Sequence, residues 1–316
     1  MKAGLYPRVG AAFGRYQIKA RLGGGGMGVV FLAHDPYLQR DCALKVIDRR
    51  HLDDASAHEQ FLAETRAQAR CTELFQWIVQ VHHSDILDGI PYLVMEYLRN
   101  GSVFELVKAC GPLPEAVAAS LTFEIANALR EIDRQGLLHR DIKPSNILLR
   151  RNGYIAVCDF GLATSTKFRG ASPIAGTPAY MSPEQLAGKE LSVASDIFSL
   201  GGTLHFMLTG APPFGRERDS ILRALTKGDF PDWKQALSGS SVRLVSLLDA
   251  CLRFDPLERV YATPDMLAKA VVDAFGPHVL QDGLQQLEAT LVEIREGYAA
   301  RMQRALMPTE SFSERP

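Results

Sequence analysis

The chain has 316 residues, 47% hydrophobic and 22% charged, with 35 basic against 36 acidic side chains and a formal net charge of -1. That length buries a large core and leaves room for two lobes, while the even charge balance excludes nucleic-acid binding as the main function. Five scattered cysteines with no CxxC pair (Cys42, Cys71, Cys110, Cys158, Cys251) exclude a disulfide frame or zinc site, and the lack of a signal core or membrane-length apolar run gives a cytoplasmic expectation.

Residues 1–15 read as an N-terminal extension. From Tyr16 to Tyr97 the chain reads mainly as strands. YQIKARLG and MGVVFLAHD flank a glycine cluster, and CALKVID has the character of a buried strand. A helix is predicted over Ala55–Cys71. Two apolar runs around Asp88-Gly89 predict a hairpin. After Asn100-Gly101 the chain turns helical. A long Ala/Leu-rich helix is closed by Gly136, and a short hairpin follows around Asn152-Gly153. Further helices are predicted over Ser195–Thr209, Ser220–Thr226, Val242–Arg253 and Pro264–Phe275. A β-rich front linked through Glu96–Gly101 to a helical back predicts two lobes with a cleft between them.

Leu284, Leu287, Leu291, Ile294 and Tyr298 recur at alternating steps of three and four, until Arg301 breaks the seam. The preferred reading of residues 277–306 is a helix packed on its own domain. The alternative is a homodimerisation helix. Residues 307–316 have a disordered composition.

The chemistry-bearing runs are His139-Arg140-Asp141-Ile142-Lys143-Pro144-Ser145-Asn146 and Asp159-Phe160-Gly161. Together they supply two carboxylates, a lysine and a carboxamide. Phosphoryl transfer needs such a set: one carboxylate for the hydroxyl proton, another with the carboxamide for Mg2+, and a cation beside the phosphate. Gly23, Gly25, Gly28 and Val30 fit GxGxxGxV, where glycines let a backbone approach phosphate oxygens. The pattern alone is weak. A strand follows it where a dinucleotide loop needs a helix, and no GK[ST] occurs. A flap ordered by nucleotide is expected. Lys45 is a cation within an apolar strand and needs a partner. Glu64 is favoured over Glu59 and Glu73, the alternative being a solvated helix face.

In order, these motifs join GTPAYMSPE, DIFSLG, LTGAPPF and DPLER. From Gly23 to Arg259 the chain resembles a eukaryotic-type serine/threonine protein kinase, bacterial branch. The resemblance implies an α+β bilobed kinase fold. Its N-lobe (16–97) would be antiparallel and β-rich with one helix, and its C-lobe (101–276) larger and mostly helical, in one kinase domain over 16–276. It implies transfer of the γ-phosphoryl of ATP to Ser/Thr hydroxyls of proteins, the chain itself included, with Mg2+ and with Mn2+ as an alternative metal. Partners are then protein substrates, with no nucleic acid and no membrane segment.

By the same resemblance Asp141 orients and deprotonates the hydroxyl, Lys143 stabilises the transferring phosphoryl, and Lys45 binds the α/β-phosphates while paired with Glu64. Asn146 and Asp159 hold the metal. The nucleotide lies among Leu22, the glycine loop, Val30, Ala43, Met95, Glu96, Leu98 and Leu148, with backbone groups of the linker reading the base. Cys158 is better read as an inert core thiol, and His139 and Phe160 as core supports. Glu184 and Arg259 match a buried ion pair. Two rivals remain: a pseudokinase scaffold and a small-molecule kinase.

Relatives of this kind carry threonines where this chain has Ala171 and Arg169. Activation is therefore expected through Ser172 or one of Thr164, Ser165 and Thr166, held by Arg140, or without loop phosphate. Where arginine-directed relatives place acids, this chain has Ser102, Ser145 and Phe206, so a weak preference for basic residues upstream of the target is expected.

Overall fold

The computed structural model describes residues 6–25, 28–71, 76–159 and 178–306, with side chains up to 296. Six strands form one antiparallel sheet: β1 (Ala12–Phe13), β2 (Tyr16–Gly24), β3 (Gly28–Asp35), β4 (Arg40–Ile47), β5 (Val81–Leu87) and β6 (Ile90–Glu96). Their order is β1-β2-β3-β4-β6-β5. Asp88 and Gly89 close the β5–β6 hairpin with φ of 50° and 78°, the paired positive values of a turn that follows the strand twist. The helix α1 (Ala55–Cys71) packs on this sheet through Ala57 and Phe61, both buried.

The larger lobe is built around α3 (Glu115–Arg134) and α5 (Val193–Thr209). Its other helices are α2 (Val103–Cys110), the single turn α4 (Pro183–Leu186), α6 (Arg218–Lys227), α7 (Val242–Cys251), α8 (Pro264–Phe275) and α9 (Pro277–Leu306). The chain leaves α3 through Gly136 at φ 66°, a left-handed position that glycine takes without a Cβ penalty. A small hairpin, β7 (Ile147–Leu149) and β8 (Ile155–Val157), joins the lobes. Val157 N donates to Trp77 O at 2.8 Å, and Val79 N donates to Val157 O at 3.0 Å. Ala156 and Cys158 of this hairpin belong to the small lobe's apolar cluster, whereas Ile155 and Val157 belong to the large lobe's. The two-residue side-chain alternation of a strand thus spans both cores. The fold is the bilobed, β-front and helical-back arrangement expected.

Differences from the predicted elements are local. The short β1 and the eight-residue α2 are not among the predicted elements, although Ser102-x-x-Glu105 is a helix-start pattern, and α7 stops at Cys251 rather than Arg253. Ser102 caps α2 by a reciprocal bond with Glu105: Glu105 N donates to Ser102 Oγ, and Ser102 N donates to Glu105 Oε2 at 2.8 Å.

The C-terminal helix uses its apolar seam within the chain. Leu280, Leu287 and Leu291 are buried in the large lobe's core, and Ile294 packs against it. Tyr298 lies beyond the described side chains. Ser120 Oγ donates to Leu280 O at 2.7 Å. Gly283 marks the closest approach: a Cβ there would overlap Ser120 Oγ and the Ala116 carbonyl of α3. In an exposed helix Gly→Ala adds about 1 kcal/mol of stability. Here the obstacle is backbone, and the opposite sign follows. Gly283→Ala is expected to destabilise by about 1–3 kcal/mol, read as a lower urea midpoint and faster cleavage after Phe275 in limited proteolysis. An unchanged or raised midpoint would show that α9 is not seated on α3.

Candidate active site

Strand periodicity builds the cleft roof. In the β3–β4 ladder Val30 opposes Lys45 and Leu32 opposes Ala43, so Ala43 and Lys45 share one face of β4. Gly28 sits against that lysine: an added Cβ would lie 2.9 Å from Val46 O and 3.1 Å from Lys45 Cε. Gly23 and Gly25 face open space instead. The steric need for glycine is therefore internal at Gly28, and at the other two it would have to come from a ligand. Ala43, Met95 and Cys158 are buried in the small-lobe cluster, and Val30, Leu98 and Leu148 are half-buried against it. Leu22, 44% exposed, sits at the rim. Apart from Leu22, these side chains belong to one apolar cluster of the small lobe. Glu96 turns its carboxylate to a two-pronged pair with Arg150 at 2.7 and 2.8 Å, and it accepts from Gln80 N at 2.9 Å.

The polar end lies beyond Lys45. Its Nζ is 2.9 Å from Asp159 Oδ1 and 3.7 Å from Glu64 Oε2, so one ammonium faces two carboxylates from opposite lobes. Burial alone would lower the Lys45 pKa, but Asp159 and then Glu64 outweigh it and the group is held charged. The nearby Lys45 charge holds the Asp159 carboxyl below its usual range. Glu64 behaves differently. Burial dominates over Lys45 and the Gln60 hydrogen bond, and its pKa is pushed up to about 7.

Asp141 completes the set. Lys143 Nζ donates to its Oδ2 at 2.7 Å, and Asn146 Nδ2 donates to the same oxygen at 3.0 Å and to its main-chain carbonyl at 2.9 Å. Burial raises its pKa, against the opposing pull of Lys143. The loop carrying it is braced from below. Asp196, at the start of α5, accepts His139 N at 2.8 Å and Arg140 N at 2.7 Å. The fully buried His139 accepts Asp141 N on Nδ1 at 3.2 Å and contacts Cys158 O through Nε2 at 3.1 Å. Nδ1 therefore carries no proton and Nε2 is the donor, a neutral ring in keeping with the pKa lowered by burial. Arg140 and Asp159 have φ of 66° and 60°, left-handed values that non-glycine residues adopt at a cost. The Asp196 bonds to Arg140 and the Lys45 bond to Asp159 hold these two residues in place.

Of the site residues expected from the sequence, Lys45, Glu64 and Asp159 form one charged group and Asp141, Lys143 and Asn146 form a bonded second one, while Glu96 is turned to Arg150. Phe160, Gly161, the loop positions Thr164, Ser165, Thr166, Arg169, Ala171 and Ser172, and Thr177 lie outside the described residues, as does the 307–316 tail. The sequence reading did not single out Asp196, Arg150 or Gln185, whose Nε2 donates to Arg140 O at 2.7 Å. Asp196 stands in the first turn of a helix, where an acid looks like an ordinary dipole partner. That leaves DIFSLG itself as the only local clue.

For a metal, the hard oxygen donors are Asp159 and Asn146. No group of three or more metal-ligating side chains (His, Cys, Asp, Glu) exists among the described residues. This suits Mg2+, which is bound by one or two carboxylates completed by substrate phosphates and water. The residues present therefore fit such an ion when nucleotide is also bound.

A sequence model of the protein kinase domain matches residues 16–270. Serine/threonine-protein kinase AfsK of Streptomyces griseus is 34% identical over 85% of this chain, and PrkC of Bacillus subtilis is 34% identical over 83%. PknL of Mycobacterium tuberculosis is 32% identical over 78%. The matched stretches cover 32%, 41% and 62% of those three proteins, so the chain spans less than two thirds of each. With the lysine bridging two lobes, the braced Asp141 loop and this match over most of its length, the chain belongs to the protein kinase family.

Proposed function

We propose that the chain is an ATP- and Mg2+-dependent serine/threonine protein kinase acting on protein hydroxyls. The observation that carries this reading is the placement of Lys45 between Glu64 and Asp159, with Asp141, Lys143 and Asn146 bonded together beside them. Mg·ATP, when bound, would supply the phosphoryl group and a cation that offsets its charge. Lys45 holds the phosphates. Asp159 and Asn146 would hold the metal through oxygen. Asp141 aligns the incoming hydroxyl and takes its proton, and Lys143 faces the charge that develops on the transferring group.

Arg140 is half-buried, and its Nε has no partner among the described residues. That supports a phosphate on the loop as its partner, with Ser172 and Thr164–Thr166 as candidates. At the positions where arginine-directed relatives have acids, Phe206 stacks on Phe104 at 5.7 Å and meets Tyr180 edge-on at 6.4 Å, while Ser102 is occupied as a helix cap. None of Ser102, Ser145 and Phe206 offers a carboxylate to pair with an arginine of the substrate. A cytoplasmic location fits the five free thiols, and no helix among the described residues is long and apolar enough to cross a membrane. Homodimerisation through α9 has its seam occupied as far as Ile294.

The test is transfer of labelled phosphate from Mg·ATP to a degenerate Ser/Thr peptide array, with autophosphorylation sites mapped by mass spectrometry. The expected result is Ser/Thr labelling with no dominant arginine preference. Labelling of a metabolite and of no peptide, or no labelling at all, would defeat the reading.

Glu64 gives a pH signature. Function needs its carboxylate ionised, which occurs as pH rises through about 7. Its raised pKa has the opposite effect on stability. That contribution is present below the unfolded-state value and is lost as pH rises through about 7. Glu64→Gln is therefore expected to raise the thermal midpoint at pH 8 while lowering kcat/KM about 100-fold and flattening its pH profile near 7. A variant with lowered stability at pH 8 and an unchanged profile would contradict this.

A further inference from the structure

A cavity of about 640 Å³ opens beside the interlobe linker and shares only Leu98 with the nucleotide cleft. Five of its lining side chains are cationic: Lys19, Arg40, Arg99, Arg150 and Arg151. One is a carboxylate, Asp41. With Arg150 assigned to Glu96, four cations still face one acid, in a chain whose overall net charge is -1. This local excess is not a property of the surface at large.

The cavity already shows which chemistry it takes. Asp41 receives Lys19 at 2.6 Å, His34 at 3.0 Å and Arg99 at 3.5 Å, a carboxylate surrounded on several sides. Lys19 above all holds that carboxyl below its usual range. Arg40 and Arg151 are exposed and have no ion-pair partner among the described residues. Lys19 and Arg99 are taken up by Asp41, which leaves Arg40 at the start of β4 and Arg151 just past β7 as the two uncommitted cations of the cavity. Side chains at the rim are open to solvent, with Lys19 44% and Arg99 60% exposed. Two uncommitted cations on different elements of an open trough suit more than one anionic side chain of a peptide better than one small ion.

We infer that this linker-side cavity is a docking site for an acidic, carboxylate-bearing peptide segment of a protein partner. Occupation joins small-lobe strands, the linker and the start of the large lobe. On a substrate, such a segment raises the effective concentration of its target hydroxyl at the cleft. That consequence rests on the proposed kinase activity, but the binding itself does not.

The test uses fluorescence anisotropy on the full chain with three labelled peptides: a glutamate-rich one, the same with phosphoserines, and a glutamine counterpart. The variant is the double substitution Arg40→Glu with Arg151→Glu, and its thermal midpoint is checked. Arg40→Gln with Arg151→Gln serves as a milder second variant. The anionic peptides are expected to bind the native chain, to weaken as salt rises, and to bind the charge-reversed variant at least about ten-fold more weakly. The glutamine peptide is expected not to bind. Binding of the phosphoserine peptide without binding of the glutamate-rich one would overturn the carboxylate assignment. The same variant should raise KM for a substrate bearing the acidic segment, leaving kcat and transfer to a short neutral peptide unchanged. Discriminating binding without transfer to either substrate supports the site and defeats the kinase reading. Equal binding to native and variant chains, no binding, or binding only to phosphatidylserine vesicles would overturn the inference.

Discussion

Asp141→Asn is expected to lower kcat about 10²–10⁴-fold while the protein stays folded and binds nucleotide. The geometry explains both halves. Asp141 Oδ2 is where Lys143 and Asn146 converge, so its neighbours already define where a hydroxyl can approach. Asparagine keeps the shape and removes the proton acceptor. Its amide oxygen can take the Oδ2 position and accept from both Lys143 and Asn146, which puts the amide NH2, a donor, where the other carboxylate oxygen stood. Stability should move little or rise. The Asp141 pKa is raised by burial, so its ionised form is a net cost. Stability linked to that group is present below the unfolded-state pKa and is lost as pH rises through the native one. At neutral pH the neutral amide avoids that cost. Lys45→Met is the contrasting case. It leaves Glu64 and Asp159 facing a site with no cation between them, so both stability and nucleotide affinity fall. A purified Asp141→Asn protein retaining more than a tenth of native kcat would remove this residue from the proposed role.

What the sequence made legible follows from how local each signal is. The Asp88-Gly89 turn was readable because positive φ at both positions restricts residue choice, and the Asn152-Gly153 turn because Gly153 takes a positive φ. The α1 boundaries were readable from a periodic run. The catalytic set was readable because its members sit on two short segments with fixed spacing. Glu96 with Arg150 was not, since 54 residues separate them and each looks like a solvated charge when read alone. Gly283 reads as a flaw within a helix until α3 is seen against it. The α9 seam shows the limit most clearly. Leu287 and Leu291 announce an apolar face, but periodicity cannot say whether the face meets another chain or the molecule's own core.

The second large effect concerns Glu184 and Arg259, and Arg259→Met is expected to cost about 3–5 kcal/mol. That is a large share of the roughly 5–15 kcal/mol by which domains are stable. The pair is enclosed, with side-chain exposures of 0% for Arg259 and 4% for Glu184. Every guanidinium donor is used. Nε donates to Arg253 O at 3.0 Å, Nη1 to Glu184 Oε1 at 2.6 Å and Ala194 O at 2.8 Å, and Nη2 to Glu184 Oε2 at 2.8 Å and Phe254 O at 3.3 Å. Lysine has no planar fork, so Arg259→Lys should recover only part of the loss. The pH dependence separates a lost ion pair from lost packing. Burial alone would raise the Glu184 pKa, but the Arg259 bonds outweigh it and hold it low. In the native chain that stability is present above the unfolded-state carboxyl value and is lost as pH falls through the native one. Without Arg259 the sign reverses: buried Glu184 prefers its proton, and the variant should gain stability as pH is lowered from 7 toward 5. Chemical denaturation across that range reads both slopes, and parallel slopes would mean the pair is not electrostatically coupled. Activity should fall as well. Glu184 anchors the same turn from which Gln185 reaches the Arg140 carbonyl, so loosening it releases the loop that carries Asp141.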